Sequence, residues 1–379
     1  MYHIIYPNKD SYIYEVRLND EYNFGAVNNL VLKKDFDGSI GLNGVSRLLL
    51  HFDLTGTSKS IVSGDIVNTK YYLRLYEQKT SELSPPYELK AFPLSQSFEE
   101  GSGHTEQNPN SRDGVSWARR DEKFDTTKWS LVNNTNADTG SRSVIGGGVW
   151  LTGSGYEASQ SFSYESPDIN MNVTDIVSKW LGGTTNISNE GFIVKWSEPF
   201  ENSVSTSCDI NYFSREGHTV FTPQLEVRWD DHLPCTGSNT GSLNELTMSG
   251  LADNFLYMKG LRESYKVGER VKFRVGARKR YIQKTFTNSV QTVTGSFITE
   301  GSGSYAIKDV ATDEFIVPFE DNQDTSYTKL SCDENSNYFI QYLDGFYPDR
   351  VYKILLKLKY DDGQEQVFDD DFEFIVKRK

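Results

Sequence analysis

The stretch SRLLLHFDL, residues 46–54, decides the fold class. Leu48, Leu50, Phe52 and Leu54 fall on one side of an extended chain and Leu49, His51 and Asp53 on the other, the period of two expected of a strand with one face in a core. KYYLRLYEQ (70–78) repeats it, with Tyr71, Leu73 and Leu75 opposed by Tyr72, Arg74 and Tyr76. Further strand runs are GFIVKW (191–196) and QLEVRW (224–229), each bounded by Gly, Pro, Asn or Ser. Loops rather than helices separate these runs, which predicts an all-β antiparallel sandwich instead of a doubly wound sheet. The enrichment in Tyr and Phe, 22 of each against 4 Met, fits half-buried pleated surfaces.

A chain of 379 residues exceeds the usual size of one domain. All six Trp lie at or before Trp229, and DDHLPCTGSNTGSLNE (230–245) then reads as a linker poor in apolar residues. Before residue 233 there are 31 acidic and 20 basic residues, a net −11; after it there are 22 and 19, a net −3. The expected boundaries are a first domain over 1–232, a linker over 233–247 and a second domain over 248–379. The second repeats the strand pattern in RVKFRV (270–275), NYFIQYL (337–343), RVYKILLKLKY (350–360) and DDFEFIVK (370–377). YDDGQ (360–364) between the last two carries a hairpin Asp-Gly. About seven strands there predict an immunoglobulin-like β-sandwich.

The overall charge of −14, with no basic stripe interleaved with aromatics, argues against nucleic acid as a partner. No apolar run reaches membrane-spanning length, so no membrane insertion is expected, and the N-terminal residues show no signal-peptide pattern. Cys208, Cys235 and Cys332 lack CxxC spacing and read as free thiols. The sequons at Asn133, Asn172 and Asn186 are expected to be coincidental without export. His3, His51, His104, His218 and His232 show no metal-ligand spacing, and no GxSxG or phosphate-cradling glycine loop is present. Asp361–Asp362 and Asp369–Asp371 read as solvated turn residues or edge guards, with no spaced calcium-loop motif. No cofactor, metal or catalytic constellation is expected. GSGSY (301–305) and TGSGY (152–156) read as flexible loops.

The long polar stretch between Gln96 and Gly148 is expected to supply contact surfaces. Trp117, Trp129 and Trp150 in and beside it are the candidate ligand-binding residues, as rings able to stack on sugar faces; core packing at the sandwich rim is the competing and favoured reading. VTDIVSKWLGG (173–183) predicts one short helix. Thr174 and Asp175 are suited to cap it, Ile176, Val177 and Trp180 share a face, and Gly182–Gly183 end it, as a lid across an open end of the sandwich.

The ordered series SRLLLHFDL, YYLRLYE, GVSW, DTTKW, GGGVW, VTDIVSKW, NEGFIVKW and YFSREGHTVFTPQLEVRW resembles the disaggregatase-related (DNRLRE-type) β-sandwich, a jelly-roll carbohydrate-binding-like module. Arg47, Trp117, Trp180, Ser214, Glu216, Pro223 and Leu225 stand at the family's pattern positions, and the likeness covers roughly residues 8–230. It implies a jelly-roll-like first domain. Members of that family usually carry a secretion signal, whereas this chain opens on its own first strand. A module of secreted type without an export signal reaches the outside when the cell lyses, which points to a virus particle. The IYPNKDSYIYE opening (5–15), such a sandwich and an acidic, Tyr-rich partner domain are similar to structural proteins of tailed bacteriophages. The resemblance implies a non-enzymatic virion protein of a tail, baseplate, portal ring or capsid appendage, docked on other virion proteins in a symmetric assembly. The alternative it implies is a carbohydrate-binding or adhesin module for a host glycan.

Overall fold

The computed structural model describes residues 1–15, 22–37, 42–64, 66–81, 86–104, 113–123, 127–129, 135–138, 146–163, 166–182, 187–203, 207–249, 253–281, 286, 295–320 and 327–378. Strand is the dominant regular structure among these residues, with only short helices, and the all-β expectation holds. The chain divides into two compact units, one of residues 5–65 and 70–227, the other of residues 1–4, 66–69 and 228–379. The first expected domain, 1–232, thus cedes its opening four residues, a short internal piece and everything from 228 onward.

The expected linker, 233–247, is built into the second unit. Cys235, Thr240 and Leu246 are buried, Gly237–Thr240 forms a 3-10 turn, and Asn244–Glu245 pairs in parallel with Ser296–Phe297. Cys235 and Leu246 find the interior although Leu233 stays exposed, and a composition average hides the two that anchor the segment. Residues 1–4 join the same unit because Tyr2 is fully buried in its core and Gln341 Nε2 donates to the Tyr2 carbonyl at 2.9 Å. Trp229 N donates to the Met1 carbonyl at 3.1 Å.

In the 5–227 unit the large sheet runs Ala158–Phe162, Tyr87–Pro93, Phe192–Trp196, Leu42–Phe52, Asn29–Asp37, Cys208–Phe213 and Glu77–Ser81, with Pro7–Tyr14 also paired to Leu42–Phe52. Leu42–Phe52 is shared along its length: residues 42–45 pair with 34–37, and 46–52 pair with Pro7–Tyr14. On its other edge, Leu48–Leu50 pair with Phe192–Val194. A smaller sheet places Gln224–Arg228 beside Lys70–Leu75, which pairs antiparallel with Ile169–Asn172.

The deciding strand departs from its expected one-sided burial. Leu48, Leu49 and Leu50 are all fully buried, so both faces of the large sheet are covered here. On one face Phe52 meets Phe192 edge-on, and Phe192 meets Trp180 with ring centroids 4.6 Å apart. On the other, Val45, Leu49 and Ile193 pack in one cluster with Val115, Trp117, Trp129, Val149 and Trp150. The described parts of the stretch expected to be loop and contact surface supply that second cover. Its Trp side chains are large enough to cover the sheet where the polar residues around them cannot.

The expected helix forms at Thr174–Trp180 with Ile176, Val177 and Trp180 buried. Its capping differs from expectation. No side chain caps at Val173, Asn172 Oδ1 receives Thr174 N at 3.0 Å, and Thr174 Oγ1 receives Tyr71 N at 3.0 Å, tying the helix to the small sheet. Gly182 takes the left-handed exit at φ +114°; Gly183 lies outside the described residues, as do the sequon residues Asn133 and Asn186.

The 228–379 unit has two sheets. One runs Asn244–Glu245, Ser296–Phe297, Arg270–Lys279, Ser336–Tyr342 and Ser331–Asp333, with Asn254–Lys259 also on Arg270–Lys279. The other runs Ser264–Lys266, Glu365–Lys377, Arg350–Lys359, Gly303–Asp309 and Phe315–Val317. Rings from the two sheets meet: Tyr305 stacks on Phe339 at 3.8 Å and Phe273 lies 5.3 Å from Phe374. Tyr352, Ile354, Leu356 and Leu358 alternate into this core as expected, and Gly363 at φ +84° closes the expected hairpin. GSGSY departs from its loop assignment, since Gly303, Ser304 and Tyr305 begin a buried strand.

Candidate functional site

Trp117, Trp129 and Trp150 come together, but inside the protein, at 1%, 3% and 4% exposure. None offers a ring face to a sugar in solution. Trp129 Nε1 donates to the Ser116 carbonyl at 3.1 Å, whereas the partners of Trp117 and Trp150 are charges. The Arg47 guanidinium lies 4.9 Å from the Trp117 ring and 5.1 Å from that of Trp150, and Lys195 Nζ lies 5.3 Å from Trp150. Arg47 Nε and Nη2 donate to the two carboxylate oxygens of Glu201, each at 3.0 Å, while Lys195 Nζ contacts Oε2 at 2.8 Å. Lys34 Nζ donates to the Glu201 carbonyl, and Arg47 Nη1 donates to that of Gly147 at 2.7 Å. Gly147 holds φ +79°, and a Cβ there would lie 2.4 Å from Arg47 Nη1, so only glycine admits this approach.

The short helix Glu198–Glu201 carries the carboxylate under the sheet directly after strand Phe192–Trp196. Burial opposes the charge on Glu201, yet Arg47 and Lys195 hold its pKa below the ordinary carboxylate range. Burial, reinforced by Arg47, pulls Lys195 down from the usual lysine value. Groups this enclosed fix a fold and reach no substrate. Of the family-pattern residues, Arg47 and Trp117 sit in this cluster and Trp180 in the lid. Ser214 donates through Oγ to the Val27 carbonyl at 2.5 Å, Glu216 accepts from Arg215, and Pro223 and Leu225 are buried.

A second charged group joins Asp10, Glu100 and Arg215. Arg215 N donates to Asp10 Oδ2 at 2.8 Å, Arg215 Nη2 reaches Glu100 Oε2 at 2.7 Å, and Asp10 N donates to Glu100 Oε1 at 3.0 Å. Burial first, and the neighbouring Glu100 charge next, push the Asp10 pKa up to about 7, against the pull of Arg215. A carboxyl of that pKa beside a carboxylate has the ingredients of acid–base chemistry. The enclosure does not suit glycoside hydrolysis, which needs room for a substrate between its two carboxyls. Here Asp10 N donates to the Glu100 carboxylate, Arg215 bridges the two residues, and Asp10 is 1% exposed, with its Oδ1 buried and without a hydrogen-bond partner.

The accessible site lies at the lid. An open cleft of about 490 Å³ is lined by His51, Asp53, Thr55, Lys59, Trp180 and Asn189, among others. Asp53 Oδ1 accepts from Thr55 N at 2.9 Å and Thr55 Oγ1 at 2.6 Å, bonds that lower its pKa. His51 contacts Asn8 Oδ1 through Nδ1 at 2.5 Å and the Asn189 carbonyl through Nε2 at 3.2 Å, and burial lowers its pKa. Both partners are oxygens and a neutral imidazole has one N–H, so His51 donates to one of them at a time. The cleft presents hydrogen-bonding groups over an indole that is itself buried. Sequence reasoning placed His51 at a surface and Trp180 in the core without joining them, because the contact depends on where the helix lands.

A run of exposed acidic charge lies on the last hairpin. Asp361, Asp362, Glu365, Asp369, Asp370, Asp371 and Glu373 are all exposed along its turn and outer strand, with Val367 between them at 51% exposure. Asp369–Asp371 form an irregularity in the ladder between Ile354 and Leu356, with Asp371 at φ +53°. Ser264–Lys266 pairs only with Ile375–Lys377, so this stretch of the outer strand lies beyond the reach of that ladder. Among the described residues no three His, Cys, Asp or Glu converge as a metal site, and no helix is long and apolar enough to cross a membrane. Compared with known protein families, curated proteins and solved structures, the chain matches none.

Proposed function

We propose that this chain is a non-enzymatic structural protein of a tailed-phage virion, docking on neighbouring subunits in a tail, baseplate, portal ring or capsid appendage. The observation that carries the reading is the acidic hairpin, with seven exposed carboxylates, four of them shared with only two lysines, Lys353 and Lys357, and an exposed valine on a two-stranded support. Such a surface selects a basic, complementary partner and repels copies of itself. The internal arrangement of the charged clusters supports the same reading, since they hold segments together. In a symmetric particle the contact is repeated many times. Mass spectrometry of purified particles tests it: stoichiometric amounts of the chain are expected, and its absence from them ends the proposal.

The lid-side cleft favours a second reading, binding of a host-surface glycan, because Asp53, Lys59 and Asn189 offer hydrogen bonds to sugar hydroxyls. On a glycan array the discriminating variants are Asp53→Asn and Lys59→Ala. Binding that both variants weaken supports this reading. No binding, or binding indifferent to both, removes it.

A further inference from the structure

We propose that Cys235 and Cys332 form a modification site, a thiol pair that closes to a disulfide and fastens residues 228–243 to the adjoining sheet of the same unit. The placement comes from contacts around both residues. Leu233 N donates to Ser331 Oγ at 3.1 Å and Cys332 N donates to the Leu233 carbonyl at 3.3 Å, so the segment carrying Cys235 runs along strand Ser331–Asp333. Cys235 Sγ lies 3.4 Å from the Leu330 carbonyl and accepts from Asn337 Nδ2 at 3.3 Å. Asn337 is the cross-strand partner of Cys332, so Cys235 sits directly over the Cys332–Asn337 pair.

Asn337 is itself fixed. It is fully buried, and its Oδ1 accepts from Ile298 N at 2.7 Å. On the far side Glu300 Oε2 accepts from Cys235 N at 2.6 Å, and Glu300 Oε1 contacts His232 Nε2 at 2.7 Å. The second thiol is therefore held in place by bonds on both sides of it. The neighbouring Cys332 first, and burial next, raise the pKa of Cys235, and Cys235 in turn lowers that of Cys332. Cys332 is thus the thiol that yields the attacking thiolate.

The oxidant is a small-molecule disulfide such as oxidised glutathione. The Cys332 thiolate attacks one sulfur of the oxidant, whose S–S bond breaks and releases one glutathione thiolate. Cys235, having lost its proton to solvent, attacks the Cys332 sulfur and expels the second glutathione. Two protein thiols are oxidised by two electrons, and the oxidant is reduced to two thiols that take up the two protons. Both cysteines are buried, so the reaction proceeds through local opening of the 228–243 segment.

The test incubates the full chain with oxidised glutathione in native buffer and, separately, at its denaturation midpoint with return to buffer. The expected product has lost two hydrogens and retains one titratable thiol, that of Cys208. A non-reduced digest is expected to contain a peptide linking residues 235 and 332, released by dithiothreitol. The loop closed is on the order of 100 residues, so the midpoint of thermal unfolding rises by roughly 10 °C on oxidation. Cys208→Ser leaves the linked peptide unchanged, and Cys235→Ser abolishes it. Three free thiols after both incubations, a retained glutathione adduct, or linkage through Cys208 overturns the proposal.

Discussion

Between the two sheets of the 228–379 unit, the interior is carbon: Phe273, Phe339, Tyr305, Leu356 and Phe374 meet ring to ring and ring to chain. Under the Trp-covered face of the 5–227 unit, three basic side chains and one carboxylate occupy comparable space, flanked by indoles. The apolar interior gains from every buried methylene and tolerates swaps that keep volume. The ionic one holds only if each charge keeps its partner. Its members come from far apart in the chain, Lys34, Arg47, Lys195 and Glu201, so it specifies one arrangement of segments more sharply than packing alone.

Removing one member of the ionic interior should do the most damage. Glu201→Ala strands Arg47 and Lys195 without their carboxylate, and a loss of about 4 kcal/mol is expected in denaturant unfolding followed by Trp fluorescence. Replacing Arg47, Lys195 and Glu201 together by Met, Met and Leu should cost far less. If the single and triple variants lose equal stability, the charges are not coupled and the contrast fails. In the apolar interior Leu356→Ala should cost about 3 kcal/mol with no change between pH 5 and 8, since no ionisable group is involved.

The Asp10 group sharpens the contrast through pH. Its native pKa of about 7 lies above the 3.8 of a free aspartate, so its stabilisation is complete below pH 3.8 and is lost as pH rises through 7. Between pH 5 and 8 the 5–227 unit should lose roughly 2–3 kcal/mol from this residue, and Asp10→Asn should flatten the slope. A wild-type unfolding free energy independent of pH over that range would contradict the placement of Asp10. The smallest stability change belongs to the exposed hairpin. Changing Asp369 and Asp370 to Thr and Asp371 to Asn, which tolerates the left-handed backbone there, gives up two exposed Lys353 ion pairs and should cost no more than about 1 kcal/mol. It should nonetheless raise self-association in sedimentation velocity, because the outer edge loses its charge guard.

Much of this contrast was legible in the residue order. Alternation in 350–360 and the Asp-Gly step at 362–363 place the last hairpin, because a strand's side chains alternate whatever surrounds it. Ile176, Val177 and Trp180 likewise announce one buried helix face. The ionic interior was not legible: Lys34, Lys195 and Glu201 look like surface residues in any local window, and only their convergence on Arg47 gives them an inside. His51 and Trp180 share a cleft for the same reason.

Local period, turn chemistry and charge along the chain suffice to make this protein one of strands, to place most of them and to mark its last hairpin as acidic. Folding in three dimensions was needed to give Leu49 a second cover, to bring the tryptophans of the polar stretch inside near Arg47, and to join residues 1–4 to residues 228–379. Those outcomes rest on contacts between residues up to hundreds of positions apart, and burial is a property of such contacts, absent from any short window of the chain.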